Sequence, residues 1–236
     1  MRRLALALIA GAGLTLHRLG RTYGSTRDER RRALPGDGLV RGAHVVATHA
    51  ITVPVPPEEV WPWLVQVGWH RAGWYTARWV DRVFFPRNLP SADRLVPELQ
   101  HLEVGDLVPD GPPHSRCGFT VVEVAPPRHL VLRSTSHLPL SWRRRGIARV
   151  DWTWAFVLVP VNGGTRLVFR WRAHIWPWWL TVGAHALLLP ADLVMSRDML
   201  RGIAARVIAR GGSGRSPLPA RTGDSSAPMT RVAHWE

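Results

Sequence analysis

The chain has 236 residues, and its 31 basic side chains, all of them arginine, outnumber the 17 acidic ones to give a formal net charge of +14. A hydrophobic fraction of 46% is typical of a protein with a buried core and excludes a wholly disordered chain. Cys117 is the only cysteine in the sequence, which excludes an internal disulfide framework and a cysteine-rich zinc site.

The positive charge is concentrated at the two ends of the chain. Residues 1–35 carry a net charge of +6 and residues 197–236 carry +4, whereas the long segment 36–196 carries only +4. A nucleic-acid-binding core would show the opposite distribution, so we expect no nucleic-acid partner.

The N-terminal segment, residues 1–21, combines an apolar run from Leu4 to Leu16 with flanking arginines. As a helix this run spans roughly 20 Å, which is short of the ~30 Å hydrocarbon core of a bilayer. Three interpretations stay open: an interfacial anchor whose arginines contact anionic head groups, a signal peptide, and a helix packed on the domain. The anchor interpretation predicts a cytoplasmic protein held at the inner face of the membrane through residues 1–21.

A strand and two helices are predicted next. Alternating and β-branched residues predict a strand over His44–Val55. Pro57, followed by acidic residues in a first turn, predicts a helix that ends at Gly68. A second helix is predicted over Trp74–Phe84, before prolines that begin a loop.

Short strands separated by turns fill the middle of the chain. The glycine-rich turn Asn162-Gly163-Gly164 predicts a hairpin between the last two strands. In these strands the aromatic and aliphatic residues alternate onto one face, with the arginines of the second strand on the other. The predicted strands are Val104–Val108, Phe119–Val124, His129–Ser134, Arg149–Val161 and Thr165–Ile175.

The last predicted element is a long helix from Leu180 to Ala209 with a break at Pro190. Residues 211–236 are rich in Gly, Ser, Pro and Arg, which predicts a disordered tail. With an extended lead-in over 22–43, the globular domain is therefore predicted to cover residues 44–210. Consecutive strands joined by short turns predict an α+β fold, in which a curved antiparallel sheet wraps a long C-terminal helix over an internal hydrophobic cavity.

A set of ordered short motifs carries a family resemblance across residues 23–208. Among them are the run from Pro56 to Gln66, Arg71-Ala72-Gly73-Trp74-Tyr75, Val104-Gly105-Asp106, Gly164-Thr165-Arg166-Leu167 and Met199-Leu200-Arg201-Gly202-Ile203. The chain resembles the SRPBCC superfamily, the START-like helix-grip proteins, and within it the polyketide cyclase/dehydrase and lipid transport proteins. The resemblance implies a helix-grip fold that binds a hydrophobic small molecule, lipid or polyketide-like. Whether cyclase or dehydratase activity accompanies the binding stays open, because one fold hosts many activities.

Eight side chains are candidates for the ligand site. Trp74, Tyr75, Trp152 and Trp154 would supply flat walls for a polycyclic or acyl ligand. If the arginine face of the last strand looks into the cavity, its guanidinium groups would polarise a carbonyl or hold a carboxylate, and a histidine would act as acid or base. The alternative is that this face meets water. The polar candidates are Arg170, Arg172, His137 and His174.

The sequence contains no nucleophile motif, phosphate loop or zinc-binding pattern, so we predict no metal and no cofactor, and no catalytic residue is assigned. The cluster Trp176-Pro177-Trp178-Trp179 has two interpretations: an aromatic anchor at an anionic membrane surface, or a segment that closes the pocket. A non-catalytic lipid-handling or interaction protein at the membrane surface is therefore the alternative function.

Overall fold

The computed structural model of the protein describes residues 2–84 and 86–213. Of the tail predicted at 211–236, residues 211–213 continue the last helix, and the remainder lies outside the described residues. The predicted α+β fold class is confirmed, because six antiparallel strands form one open, curved sheet against a long C-terminal helix.

The sheet has the strand order β1-β6-β5-β4-β3-β2, and the β5–β6 hairpin at its centre pairs along its whole length. The prediction for β4 and β5 matches the observed bounds, because turns that contain proline and glycine delimit both strands. The strands are β1 Val45–Val53, β2 Leu107–Pro109, β3 Gly118–Ala125, β4 His129–Ser134, β5 Arg149–Val161 and β6 Gly164–Trp176.

The helices occupy both ends of the chain, the connection between β1 and β2 and the connection between β4 and β5. The α-helices are α1 Arg2–Thr22, α2 Arg27–Arg31, α3 Pro57–Val65, α4 Arg78–Phe84, α5 Leu140–Arg144, α6 Trp178–Gly183 and α7 Leu189–Ser213. The inner face of the sheet packs its large apolar side chains, among them Phe156, Phe169 and Trp171, beneath α7, which contributes Leu200 and Ile203. This face and helix form the core.

The long C-terminal helix is interrupted before Pro190 rather than at it. The π-helical turn Ala184–Leu188 joins α6 to α7, and Pro190 lies in the first turn of α7. Because the helical turns run on without a gap, Pro190 removes one N–H donor from a continuous helix, and the π-helical turn is the irregularity that directly precedes it. Taken together, Trp178–Arg210 form 33 helical residues that are long and apolar enough to cross a membrane, a criterion that a core helix of a soluble protein also meets.

The predicted helix over Trp74–Phe84 is wrong in its first turn, because helix α4 begins only at Arg78. Tyr75 has a left-handed backbone with φ of 59°, which a right-handed helix cannot include. Its N–H donates to the Ser91 hydroxyl at 2.9 Å instead of to a helical carbonyl. Trp74 and Tyr75 therefore lie in an irregular segment that runs beneath α7.

The N-terminal segment packs against the sheet and α7 through the second half of α1. The Gly20 carbonyl accepts a hydrogen bond from the His49 ring at 2.9 Å, and a Cβ at Gly20 would lie 2.8 Å from the Leu189 carbonyl oxygen. Residues 22–43, predicted as extended, include helix α2, which has a capping box between Thr26 and Glu29. Helix α1 is therefore packed on the domain at its C-terminal end, whereas Leu14 and Leu16 of the apolar run are exposed.

Candidate functional site

Strand β5 directs Trp152 and Trp154 toward the helix, as the alternation of its sequence predicts. Trp154 lies opposite Trp171 of β6, and the Trp171 indole N–H donates to Asp192 of α7 at 2.7 Å, which fixes this face as the inner one. The sheet and α7 thus enclose the tryptophan side chains.

Four of the eight predicted residues meet in one aromatic cluster on this inner face. The Trp154 ring centroid lies 5.3 Å from that of Trp74 and 5.9 Å from that of Trp152. His137 lies 5.0 Å from Trp152, and Phe119 contacts both His137 and Trp154 with centroids 4.5 Å apart. Edge-to-face and tilted contacts of this kind stabilise a rigid aromatic wall.

His137 forms a buried ion pair at one end of the cluster. Its Nε2 lies 2.8 Å from Asp110 Oδ2, and its Nδ1 lies 2.8 Å from Ser134 Oγ. Burial is the largest single influence and favours the neutral ring, but the hydrogen bonds to Asp110 and Cys117, together with the negative charge of Asp110, outweigh it and raise the pKa of His137 to about 9. His137 is therefore an imidazolium at neutral pH.

The cavity between the sheet and α7 is small and partly polar. Its volume is about 10 Å³, room for about one water molecule. Among the described residues, the indole Nε1 atoms of Trp74 and Trp154 have no hydrogen-bond partner, although both side chains are at least nine-tenths buried. The lining consists of two methionines and of Trp74, Thr76, Trp154, Asp192 and Ser196.

Asp192 contributes a buried carboxyl group to this cavity. Its Oδ2 accepts the Trp171 indole N–H and its Oδ1 accepts the Ser196 hydroxyl at 3.0 Å. Burial raises the pKa of Asp192, because the charged form loses hydration that two hydrogen bonds do not replace. Asp192 is not among the residues predicted from the sequence, although it lies three residues after Leu189 and four before Ser196 on the predicted apolar face of the helix.

The arginine face of β6 lies on the other side of the sheet, so Arg170 and Arg172 are not in the cavity. Arg170 is 3% exposed and does not meet water either, because residues 22–43 cover it. Its guanidinium donates to Asp37 Oδ2 at 2.6 Å and to backbone carbonyls of that segment, and Arg172 Nη1 lies 3.8 Å from Asp37 Oδ1. His174 is exposed on this outer face and packs against the His44 ring.

Tyr75 is buried but belongs to a separate polar cluster. Its hydroxyl donates to the Trp63 carbonyl at 3.0 Å and accepts from Gln66 Nε2 at 2.8 Å. The Arg206 guanidinium lies 5.0 Å above its ring. Burial raises the pKa of Tyr75 well above its ordinary value. These contacts hold Tyr75 in the fold, and its ring packs against Trp63 with ring centroids 5.8 Å apart.

A larger concavity, of about 630 Å³, lies on the surface beside the C-terminal half of α7. It is lined in part by Trp63, Leu95 and Arg206, and Arg206 is engaged by Asp93 at 2.8 Å. None of the eight predicted residues lines this groove. In the part of the chain that the structure describes, no three His, Cys, Asp or Glu side chains are grouped to hold a metal ion.

These features define a helix-grip protein with an aromatic site between its sheet and its C-terminal helix. No protein-family model and no curated protein matches the chain. Similar solved structures include the di-domain ARO/CYC protein StfQ of the steffimycin biosynthetic pathway, with 18% identity over 71% of this chain and 52% of that chain and a TM-score of 0.44. Norcoclaurine synthase of Thalictrum flavum is 15% identical over 71% of this chain and 96% of its own chain, with a TM-score of 0.41. A Rhodobacter sphaeroides protein is 16% identical over 72% of this chain and 97% of its own chain, with a TM-score of 0.42. Similarity at this level concerns the helix-grip fold alone.

Proposed function

We propose that the protein binds a hydrophobic small molecule, lipid or polyketide-like, between the sheet and helix α7. The observation that carries the proposal is the aromatic cluster of Trp74, Trp152, Trp154 and His137. Two of its members, Trp74 and Trp154, line a cavity, and their indole N–H groups have no acceptor among the described residues. Apolar walls with a few unsatisfied polar groups are the usual composition of a ligand site.

The ligand would enter by displacing flexible side chains of α7. Met195 and Met199 line the cavity opposite the tryptophans. Unbranched methionine side chains adopt new rotamers at low cost, so a closed cavity of this composition can open around an apolar molecule. The π-helical turn Ala184–Leu188 precedes both methionines, and such turns are frequent at functional sites.

Native mass spectrometry and calorimetry with oleic acid and with the anthraquinone emodin test this proposal. We expect one-to-one binding of at least one probe, and a loss of about tenfold in affinity for Trp154→Ala, which removes a wall of the site. Trp142→Ala is the matched control, because Trp142 pairs with Trp179 outside the cluster, with ring centroids 5.9 Å apart. Equal losses in both variants, or no binding of either probe, would refute the site.

A second candidate function is lipid handling at a membrane surface, favoured by an exposed apolar patch. The patch consists of Trp176, Trp178, Val182 and Leu187, each at least half exposed. Residues 152–191 contain no acidic side chain. Helix α5, which contacts Trp179 through Trp142, ends in two arginines, and Arg145 follows directly. Exposed tryptophans rimmed by arginines fit an anionic bilayer, with the protein at the inner face of the membrane.

Cosedimentation with phosphatidylcholine vesicles, with and without phosphatidylglycerol, tests the second function. We expect binding to the anionic vesicles and a clear reduction for Trp178→Ser. Trp79→Ser is the matched control, because Trp79 is 58% exposed on helix α4, away from the patch. A chain that stays in the supernatant with both vesicle types excludes this function.

A further inference from the structure

We propose that the site between sheet and helix recognises a neutral carbonyl oxygen of its hydrophobic ligand, held by the indole N–H groups of Trp74 and Trp154. This inference rests on the proposed function and names the chemical class of the ligand: an apolar ketone or ester. The indole N–H groups would then add polar recognition to a site whose walls are aromatic.

The two indole groups supply the donors. An indole N–H can donate but not accept, so its complement must be an acceptor atom. Trp74 and Trp154 line the same cavity with ring centroids 5.3 Å apart, and their Nε1 atoms have no partner within the described residues. A buried donor without an acceptor is destabilising, so an acceptor supplied by a ligand would restore what the fold leaves unsatisfied.

The charge of the residues that line the cavity favours a neutral carbonyl over an anionic head group as the ligand's polar group. No arginine or histidine lines this cavity among the residues that the structure describes. Asp192 is the one acidic side chain in the lining, and burial raises its pKa, so a carboxylate or phosphate placed beside it would meet a buried carboxyl and no countercharge. A neutral carbonyl avoids this cost.

A carbonyl also fits the donor count better than a hydroxyl. Its oxygen has two lone pairs and accepts both indole N–H groups, and it has no proton that needs an acceptor of its own. Each oxygen of Asp192 already accepts one hydrogen bond, from Trp171 or from Ser196, so a ligand hydroxyl would have to share an oxygen that is already engaged. We therefore expect ketones to bind more tightly than alcohols of the same skeleton.

A pair of isosteric probes tests the inference: 2-acetonaphthone and 2-isopropenylnaphthalene, which differ only by C=O in place of C=CH2. In calorimetry the unmodified protein should bind the ketone about tenfold more tightly than the alkene. Trp154→Phe and Trp74→Phe keep an aromatic ring but remove a donor, so each should lower this preference severalfold. Trp142→Phe, the control, should keep it.

A second measurement uses only the unmodified protein, so it stays informative if the Trp→Phe variants do not fold. In the unmodified protein, two indole N–H resonances in a ¹⁵N–¹H correlation spectrum should move downfield with the ketone and stay in place with the alkene. Equal affinity for ketone and alkene overturns the carbonyl inference and leaves the proposed function standing. A preference that survives both Trp→Phe changes also overturns it, whereas failure of both probes to bind argues against the proposed function itself.

Discussion

Trp154 and Trp171 are cross-strand neighbours on the inner face of the sheet, yet their indole N–H groups have different surroundings. The Trp171 N–H donates to Asp192 at 2.7 Å, whereas the Trp154 N–H has no acceptor in the described part of the chain. A satisfied buried donor contributes to stability, and an unsatisfied one costs about 1–3 kcal/mol. The Trp171 indole therefore stabilises the fold through its hydrogen bond, whereas the Trp154 indole leaves a buried donor without an acceptor in the described part of the chain.

The same substitution at these two positions should have unequal effects. Trp171→Phe leaves the buried Asp192 carboxyl short of one donor, so we expect it to lower the free energy of unfolding by about 1–3 kcal/mol more than Trp154→Phe does. Both variants lose the same volume, so urea denaturation of the pair isolates the hydrogen bond. Equal losses would indicate that the two N–H groups have equivalent partners.

His137 makes stability depend on pH in the neutral to alkaline range. Its pKa is raised from 6.5 to about 9 in the folded state, so its stabilising contribution is fully present below about pH 6.5 and is lost as the pH rises through 9. The shift corresponds to roughly 3 kcal/mol at most. We expect the free energy of unfolding to fall over this range and the fall to be shallower in His137→Gln.

Urea titrations at several pH values measure this slope. Asp110→Asn provides an independent variant, because it removes the carboxylate partner at 2.8 Å without removing the ring. His101→Gln, which alters an exposed histidine, controls for the loss of an imidazole. A slope that is unchanged in both His137→Gln and Asp110→Asn would contradict the ion pair.

At the scale of elements, residues 22–43 are held against β6 by a buried charge. Arg170 is almost fully buried and Asp37 is its carboxylate partner at 2.6 Å. Removing one partner of a buried pair leaves the other uncompensated, so we expect Asp37→Asn to lower the free energy of unfolding by about 3 kcal/mol. Amide exchange in residues 27–40 should accelerate in the same variant.

A more exposed pair supplies the comparison. Arg133 and Asp151 are a similar 2.7 Å apart but are 39% and 29% exposed, so Asp151→Asn should lower the free energy of unfolding by only about 0–1 kcal/mol. The double variant Arg170→Met with Asp37→Asn should be less destabilised than the sum of its single changes. Strict additivity would mean that the two side chains do not act as a pair.

The contact between α7 and the Trp74–Tyr75 segment depends on a glycine. A Cβ at Gly202 would overlap the Tyr75 carbonyl oxygen, whereas a Cβ at Gly183 meets nothing within 4 Å. We expect Gly202→Ala to lower the free energy of unfolding by about 3 kcal/mol because backbone must move, and Gly183→Ala to leave it unchanged or raise it by about 1 kcal/mol through helix propensity. Thermal unfolding of the two variants checks this.

At the scale of the whole molecule, periodicity predicts the fold better than it predicts the site. The period-two pattern of β5 predicts that Trp152 and Trp154 share a face, because alternation is a property of each strand. It does not predict what covers the opposite face. Arg170 finds its carboxylate 133 residues away, in a segment whose sequence predicts no contact. Asp192 was missed because an acidic residue in a helix usually faces water.

The charge distribution of the whole chain allows a last prediction about the membrane-surface function. Screening lengths are about 10 Å at 0.1 M salt, so attraction between exposed arginines and anionic lipid should weaken strongly between about 0.05 and 0.5 M. Burial of exposed apolar side chains such as Trp178 does not weaken in this way. Binding should therefore decline with salt to a residual level.

Variants separate the electrostatic contribution of the arginines from the apolar contribution of the exposed tryptophan. Arg144→Gln with Arg145→Gln alters two exposed arginines at the C-terminal end of α5 and should reduce the salt-dependent part of vesicle binding. Trp178→Ser should remove the residual part that persists at high salt. The measurement is vesicle cosedimentation across a salt series, with Trp79→Ser as the control for loss of an exposed tryptophan. Binding that does not change with salt in any variant would show that the arginine rim does not contact the bilayer, and the apolar patch would then need a different partner.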